Sequence, residues 1–164
     1  MWYSETLGTI RTPRGVTVDG IQHPASIFTL WSDEELAAID IYPAALDVPD
    51  QRYYEIGDPS YTLTDGTYII SYASTEKNVN GLKDERNNTV KSISASYLEK
   101  SDWMVIRASE GGTAVPSAWT TYRAAVRTES NDKNLAIDAL STLDDIKTYD
   151  NNGGVTAGWP EVPE

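Results

Sequence analysis

Cysteine is absent, and histidine occurs once, in a chain of 164 residues. Without thiols there is no disulfide scaffold, no thiolate metal site and no cysteine nucleophile. A single imidazole cannot build a multi-histidine metal cage. His23, in Gly20-Ile21-Gln22-His23-Pro24, reads as a hydrogen-bonded residue at the end of a hairpin arm rather than as a catalytic base. Basic residues are also scarce: 13 Lys and Arg face 25 Asp and Glu, for a formal charge of −12. Such a surface repels phosphate backbones and argues against nucleic-acid binding. No apolar run approaches the roughly 18 residues that a membrane span needs. The opening Met1-Trp2-Tyr3-Ser4-Glu5 is neither basic nor followed by an apolar core, unlike a secretory signal. Asn87-Asn88-Thr89 matches the N-glycosylation pattern but is discarded for want of such a signal.

The charge that is present is uneven. Residues 1–80 hold 4 basic and 12 acidic side chains, residues 81–130 hold 7 and 6, and residues 131–164 hold 2 and 7. The middle segment is the one that an acidic partner, or the chain's own acidic ends, can approach, and it also reads simply as a helix of mixed surface charge. One Phe stands beside five Trp and ten Tyr, rings that pack well yet keep a polar atom for a half-wet contact. Chemistry-bearing motifs are missing. Glu110-Gly111-Gly112 has neither the preceding strand nor the following Lys of a phosphate loop. Asp102 with Glu110, or Asp47 with Asp50, could be nominated as glycosidase pairs, but so many acids yield such pairs by chance. Asp144, Asp145 and Asp150 do not match the alternating ligands of a calcium loop and read as a solvated helix end. The expectation is a chain with no catalytic residue, no cofactor and no metal.

The fold class expected is α+β, with a β-rich module over 1–80, a helical region over 81–150 and an extended tail over 151–164. Two Asp-Gly pairs, Asp19-Gly20 and Asp65-Gly66, sit inside alternating apolar runs, the strongest short-range hairpin signal. Between them Ser32-Asp33-Glu34-Glu35 is a capping box, with Trp31 and Leu36 as its staple. It opens a short helix that runs to about Ile39 and is stopped at Tyr42-Pro43. A strand near Arg52–Glu55 is kept short or at an edge by Pro59. From Leu82 the period becomes helical, with Val90, Ile93, Tyr97 and Leu98 on one face. Ser101-Asp102-Trp103 interrupts this helix, Met104–Arg107 belongs to a second helix or a strand, and Glu110–Thr113 is a break. Pro116 then opens a longer helix carrying Trp119, Tyr122 and Val126, with Arg123 and Arg127 as an i, i+4 pair. The apolar pattern resumes at Leu135, Ile137, Leu140, Leu143 and Ile146, and Asn151–Gly154 closes the helices. Trp159 anchors the proline-extended tail.

Ser101-Asp102-Trp103, Tyr122-Arg123-Ala124-Ala125-Val126-Arg127 and Trp159-Pro160 occur in this order and spacing. The combination resembles the tail assembly chaperone family of tailed bacteriophages, over about the last 70 residues. Glu110–Pro116 resembles the version seen in marine phages. Phe28–Leu36 and Asp50–Tyr54 resemble the N-terminal module found on such proteins, with Asp40 where those often have Gly. The resemblance implies a non-enzymatic protein that binds phage tail or tail-fibre polypeptides in the host cytoplasm during assembly. The alternative is a permanent minor component of the virion tail, an adaptor or decoration subunit. A glycan- or receptor-binding module is a third class, resting on Trp and Tyr alone. Self-association is left open; nucleic acid and membrane are not expected partners. The motif residues Asp102, Trp103, Trp119, Tyr122, Arg123, Arg127, Trp159 and Pro160 have two readings. They either hold a helix hairpin of residues 84–100 against 117–130, closed by a Trp and pinned by Arg123 or Arg127 on Asp102, or present a groove to a partner. In both, a helix begins at Ser101 or Asp102 and Trp103 turns back onto the preceding helix.

Overall fold

Both Asp-Gly pairs turn the chain as type I′ hairpins. Asp19 and Gly20 have φ of 49° and 80°, and Asp65 and Gly66 have 48° and 76°. Two consecutive left-handed residues give the twist that matches the flanking strands, and glycine takes the second position without steric cost. The computed structural model describes residues 1–163, and the chain is α+β, with strands in the first half and long helices in the second. Two compact units divide at Thr75 and Glu76.

The first unit runs β1 (Trp2–Ser4), β2 (Gly8–Ile10), β3 (Val16–Val18), β4 (Ile21–His23), α1 (Ile27–Leu30), α2 (Asp33–Ala37), β5 (Tyr42–Asp47), β6 (Tyr54–Thr64) and β7 (Thr67–Glu76), the last strand reaching one residue past the division. β3 and β4 form a separate ribbon, in which His23, the last residue of β4, pairs with Val16. The other strands make one sheet in the order β2-β1-β5-β7-β6. β1 pairs antiparallel with β2 and β5, while β5 and β7 are parallel, Ala44 beside Tyr68 through Asp47 beside Ser71. The second hairpin is therefore part of a five-stranded sheet, and β1, β2, β5 and α1 are additions to the expected elements. Short strands leave too few residues for a periodic signal. β6 is eleven residues long rather than short, but it is an edge strand, the place where Pro59 costs no ladder bond.

The core of this unit is Ile10, Val16, Val18, Ile27, Phe28, Leu36 and Ile41, with Trp2, Leu7 and Ile39 against it. The capping box forms: the Glu35 N–H donates to Ser32 Oγ at 3.2 Å, and the Ser32 N–H donates to Glu35 Oε2 at 2.8 Å. Trp31, placed as the staple, lies edge-on to the His23 ring at 5.5 Å. At the other end of α2, Asp40 takes φ of 58°. The Ile41 N–H reaches Leu36 O and the Asp40 N–H reaches Ala37 O, which is a Schellman closure with Asp in the position glycine usually fills. Aspartate tolerates this region. Its carboxylate accepts from Ser4 Oγ at 2.9 Å and from the Thr6 N–H at 3.3 Å, so the same residue that ends the helix fastens the β1–β2 turn.

The far face of the sheet is aromatic. Tyr61 on β6 stacks on Tyr3 of β1 at 4.4 Å, and Tyr68 lies 4.6 Å from Tyr3 and 5.4 Å from Tyr42. Two strands separate β1 from β6, about 14 Å on a flat sheet, so the sheet curls to bring these rings together. Burial above all pushes the phenols of Tyr3 and Tyr68 up. The Tyr68 hydroxyl donates to Glu5 Oε1 at 3.1 Å.

The second unit is three helices: α3 (Val79–Ser109), α4 (Ser117–Ala139) and α5 (Leu143–Asn151). Asn78 caps α3 by accepting the Gly81 N–H at 3.2 Å. The expected break at Ser101–Trp103 does not occur. Ser101 Oγ donates to Leu98 O at 3.1 Å inside the helix, a back-bond that accommodates serine in a helix interior. No helix begins there, and Met104–Arg107 continue the same rod. The chain does break after Ser109, where the Gly112 N–H returns to Arg107 O, and Pro116 stands at the N-cap of α4. The run from Leu135 to Ile146 is split between two helices by a turn at Leu140–Thr142, where Thr142 and Asp145 form a second capping box. Ile137, Leu143 and Ile146 are buried and Leu135 is exposed. After Asn151 the chain turns, then runs without helix or strand from Trp159 to Pro163; the last residue of the expected tail, Glu164, lies outside the described residues. Among the described residues no helix is long and apolar enough to cross a membrane.

Candidate protein-binding site

The seam between α3 and α4 is organised around a buried cation. Arg123 Nη1 donates to Leu98 O at 2.8 Å, to Ser101 Oγ at 2.7 Å and to Asp102 Oδ1 at 2.7 Å. Ser101 is fully buried, and the Asp102 side chain is 53% exposed. Each acceptor lies on α3, so one side chain of α4 reads the register of the pair across two successive turns. Arg127 does not join this cluster: it is exposed and donates at 3.5 Å to the Arg123 carbonyl. Beside Arg123, Tyr122 is buried edge-on to the half-buried Trp119 at 5.6 Å. Burial, and then the nearby Tyr97 phenol, push its pKa up, and its hydroxyl makes no hydrogen bond.

Trp159 lies against the same unit. Its Nε1–H donates to Val155 O at 2.8 Å, and its ring is 5.4 Å from Tyr97. The Lys133 ammonium sits 5.8 Å from the Trp159 ring centre, donates to Gly154 O at 3.0 Å and pairs with Glu129 at 3.1 Å. Gly158, at φ of 83°, passes so close that a Cβ would lie 2.8 Å from Glu129 Oε1. Pro160 follows, half-buried. Trp159 and Pro160 are thus folded down onto the helices.

Trp103 departs from expectation. With α3 continuous there is no preceding helix to turn back onto, and Trp103 is 54% exposed. It lies on the side of α3 opposite the line of Val90, Ser94 and Ser101 that is buried, as helical spacing requires. Ile106, one turn on, is 57% exposed, and the Arg107 guanidinium lies 4.9 Å from the Trp103 ring centre. Val105 is also exposed, but on the Ser101 side of the helix by its spacing. The motif residues therefore divide: Tyr122 and Arg123 hold the hairpin from within, Asp102 spans both, and Trp103 faces outward.

Two further residues matter here. Arg86 on α3 grips Asp150 on α5 through two bonds, Nε to Oδ1 at 3.0 Å and Nη2 to Oδ2 at 2.5 Å, with both side chains mostly buried. Asp150 is thus a buried partner and not a solvated helix end. Lys133 is the other. No local pattern marks Arg86, whose partner is 64 positions away; Lys133 had the i, i+4 spacing to Glu129 as its signal. Of the carboxylates considered for chemistry, Asp102 pairs with Arg123, Asp50 with Arg52 and Asp144 with Lys147. Among the described residues no group of three or more His, Asp or Glu could hold a metal ion. No protein-family model matches the chain, and neither does any curated protein or solved structure.

Proposed function

We propose that this chain is a non-enzymatic bacteriophage tail protein, most like a tail assembly chaperone, whose helical hairpin binds another tail or tail-fibre polypeptide. The observation that supports this reading is the outward pair Trp103 and Ile106, both more than half exposed at one end of α3. The hairpin does not need them for its own core, since Val90, Tyr122, Val126 and Arg123 already fill the seam. A large ring backed by a guanidinium and flanked by an aliphatic side chain is the type of anchor that carries binding energy at protein interfaces. Such a surface shields a client's apolar segment reversibly, in the host cytoplasm, without bond chemistry. The acidic surface argues against nucleic acid as the client.

The test is co-expression with the tail and tail-fibre polypeptides encoded beside the chain, scored by how much client stays soluble and co-purifies. The Trp103→Ala/Ile106→Ala variant is expected to melt within about 1 kcal/mol of the parent and to lose the client. Equal recovery with the variant refutes the hairpin face as the site. Mass spectrometry of purified virions separates the two tail roles: absence of the chain fits an assembly factor, and presence fits a permanent tail component.

A further inference from the structure

We infer that the open edge of β6 is a second docking site, which takes an extended, Lys- or Arg-bearing segment of another polypeptide as an added strand. This inference uses no residue of the helical hairpin. β6 ends the strand order, so only one of its edges is paired, with β7. The type I′ turn at Asp65-Gly66 makes Thr64 and Thr67 a hydrogen-bonded pair. Antiparallel alternation then directs the N–H and C=O groups of Thr62 and Thr64 toward β7, and those of Tyr61 and Leu63 outward. Pro59 holds the next outward position and has no N–H, so the open donor row covers Tyr61 and Leu63 and stops there.

Natural edges of this length are protected by charge, above all by lysine. This one is not. Pro59-Ser60-Tyr61-Thr62-Leu63-Thr64 carries no charge at all, and Tyr61 and Leu63 are 42% and 46% exposed on the same face. The Tyr61 ring is already fixed by its stack on Tyr3, so an incoming strand meets a rigid aromatic surface. Charge selects the occupant. None of the five sheet strands contains Lys or Arg, and residues 1–75 hold eleven acids against three bases. A second copy of the chain would bring a like-charged unit to the edge. A segment with alternating β-branched residues and basic ends gains the main-chain bonds of strand addition and meets Glu55, Asp58 and Asp65 along the same hairpin.

The experiment titrates the full chain with the blocked peptide Lys-Thr-Val-Thr-Val-Lys and with its Glu-ended counterpart, following backbone amides by NMR and hydrogen exchange. Exchange at Tyr61 and Leu63 is expected to slow by about tenfold or more, with Thr62 and Thr64 nearly unchanged, and only with the basic peptide. Leu63→Pro, which deletes one outward N–H, should abolish the effect. If that variant is unfolded in a thermal melt, the basic peptide N-methylated at alternate residues replaces it and should fail to protect the parent chain. The inference is overturned by no protection at Tyr61 and Leu63 up to about millimolar peptide, by equal binding of the Glu-ended peptide, or by protection that depends on protein concentration alone, which would make a second copy the occupant. Trp103→Ala should leave the protection intact, so this result and the client assay succeed or fail separately.

Discussion

The two units solve the same packing problem with different materials. The β-rich unit buries Ile, Val, Leu and Phe side chains around short strands, and Ser4 is its only fully buried polar residue. Each such apolar side chain contributes about 1.5–3 kcal/mol on burial. The helical unit has a 31-residue helix, α3, whose buried residues are only Leu82, Val90, Ser94 and Ser101. Its seams are held by cations that reach across to backbone carbonyls or a carboxylate: Arg123 to Leu98 O, Lys133 to Gly154 O, Arg86 to Asp150, and Lys83 to Asp138 O and Leu140 O. The last two acceptors lie at the C-terminal end of α4, where carbonyls lack partners within the helix and a positive charge also meets the dipole. Where a helix lacks an apolar stripe, long basic side chains that carry their own methylene stems can both fill the seam and set its register.

That contrast can be broken in order of expected effect. Tyr122→Ala, which empties the middle of the α3–α4 seam, should cost about 3–5 kcal/mol, read from denaturant unfolding at the helix band. Tyr122→Phe should be neutral, because the hydroxyl it removes is unpaired. Next, Arg123→Met should cost about 3 kcal/mol, whereas Asp102→Asn should cost only about 1 kcal/mol, its carboxylate being half in solvent. Equal losses in the same unfolding assay would mean that the carboxylate, rather than the Leu98 carbonyl and Ser101, is the chief partner. The smallest effect belongs to pH. The Ser141 N–H, then the Thr142 hydroxyl and N–H, hold the Asp145 carboxyl below its usual range. A lowered folded pKa adds stability above the unfolded value of about 3.9, lost as pH falls through the lower folded value. Asp145→Asn should flatten that acid limb, and melts from pH 6 down to about pH 2 would show it.

Local chemistry was legible in the residues. Asp-Gly turns, the Ser32–Glu35 box and the break at Glu110–Thr113 rest on neighbours within one turn, while the sequence leaves the pairing on Asp102 open between Arg123 and Arg127, and it falls to Arg123. What escaped depends on distance or on compensation. β1 and β5 are short and find each other across some 40 positions, Arg86 and Asp150 across 64. Ser101-Asp102 looks like a helix start because serine and aspartate favour caps, yet Ser101 bonds backward within α3 and Asp102 is taken by Arg123. The exposure of Trp103 follows from the same continuity, since an unbroken helix turns residue 103 away from the seam. Asp40 shows the reverse case: it stands where glycine is usual after a helix, and its carboxylate has its own use at Ser4 and Thr6.

The continuity of α3 has a mechanical side. No proline interrupts it, and its one glycine, Gly81, lies in the first turn, so it is a stiff rod of about 46 Å. Arg86, clamped to α5, stands about 26 Å along that rod from Trp103. Trp103 and the Arg86–Asp150 pair are therefore held at a fixed separation on one uninterrupted helix, with the acceptors of Arg123 lying just before the tryptophan.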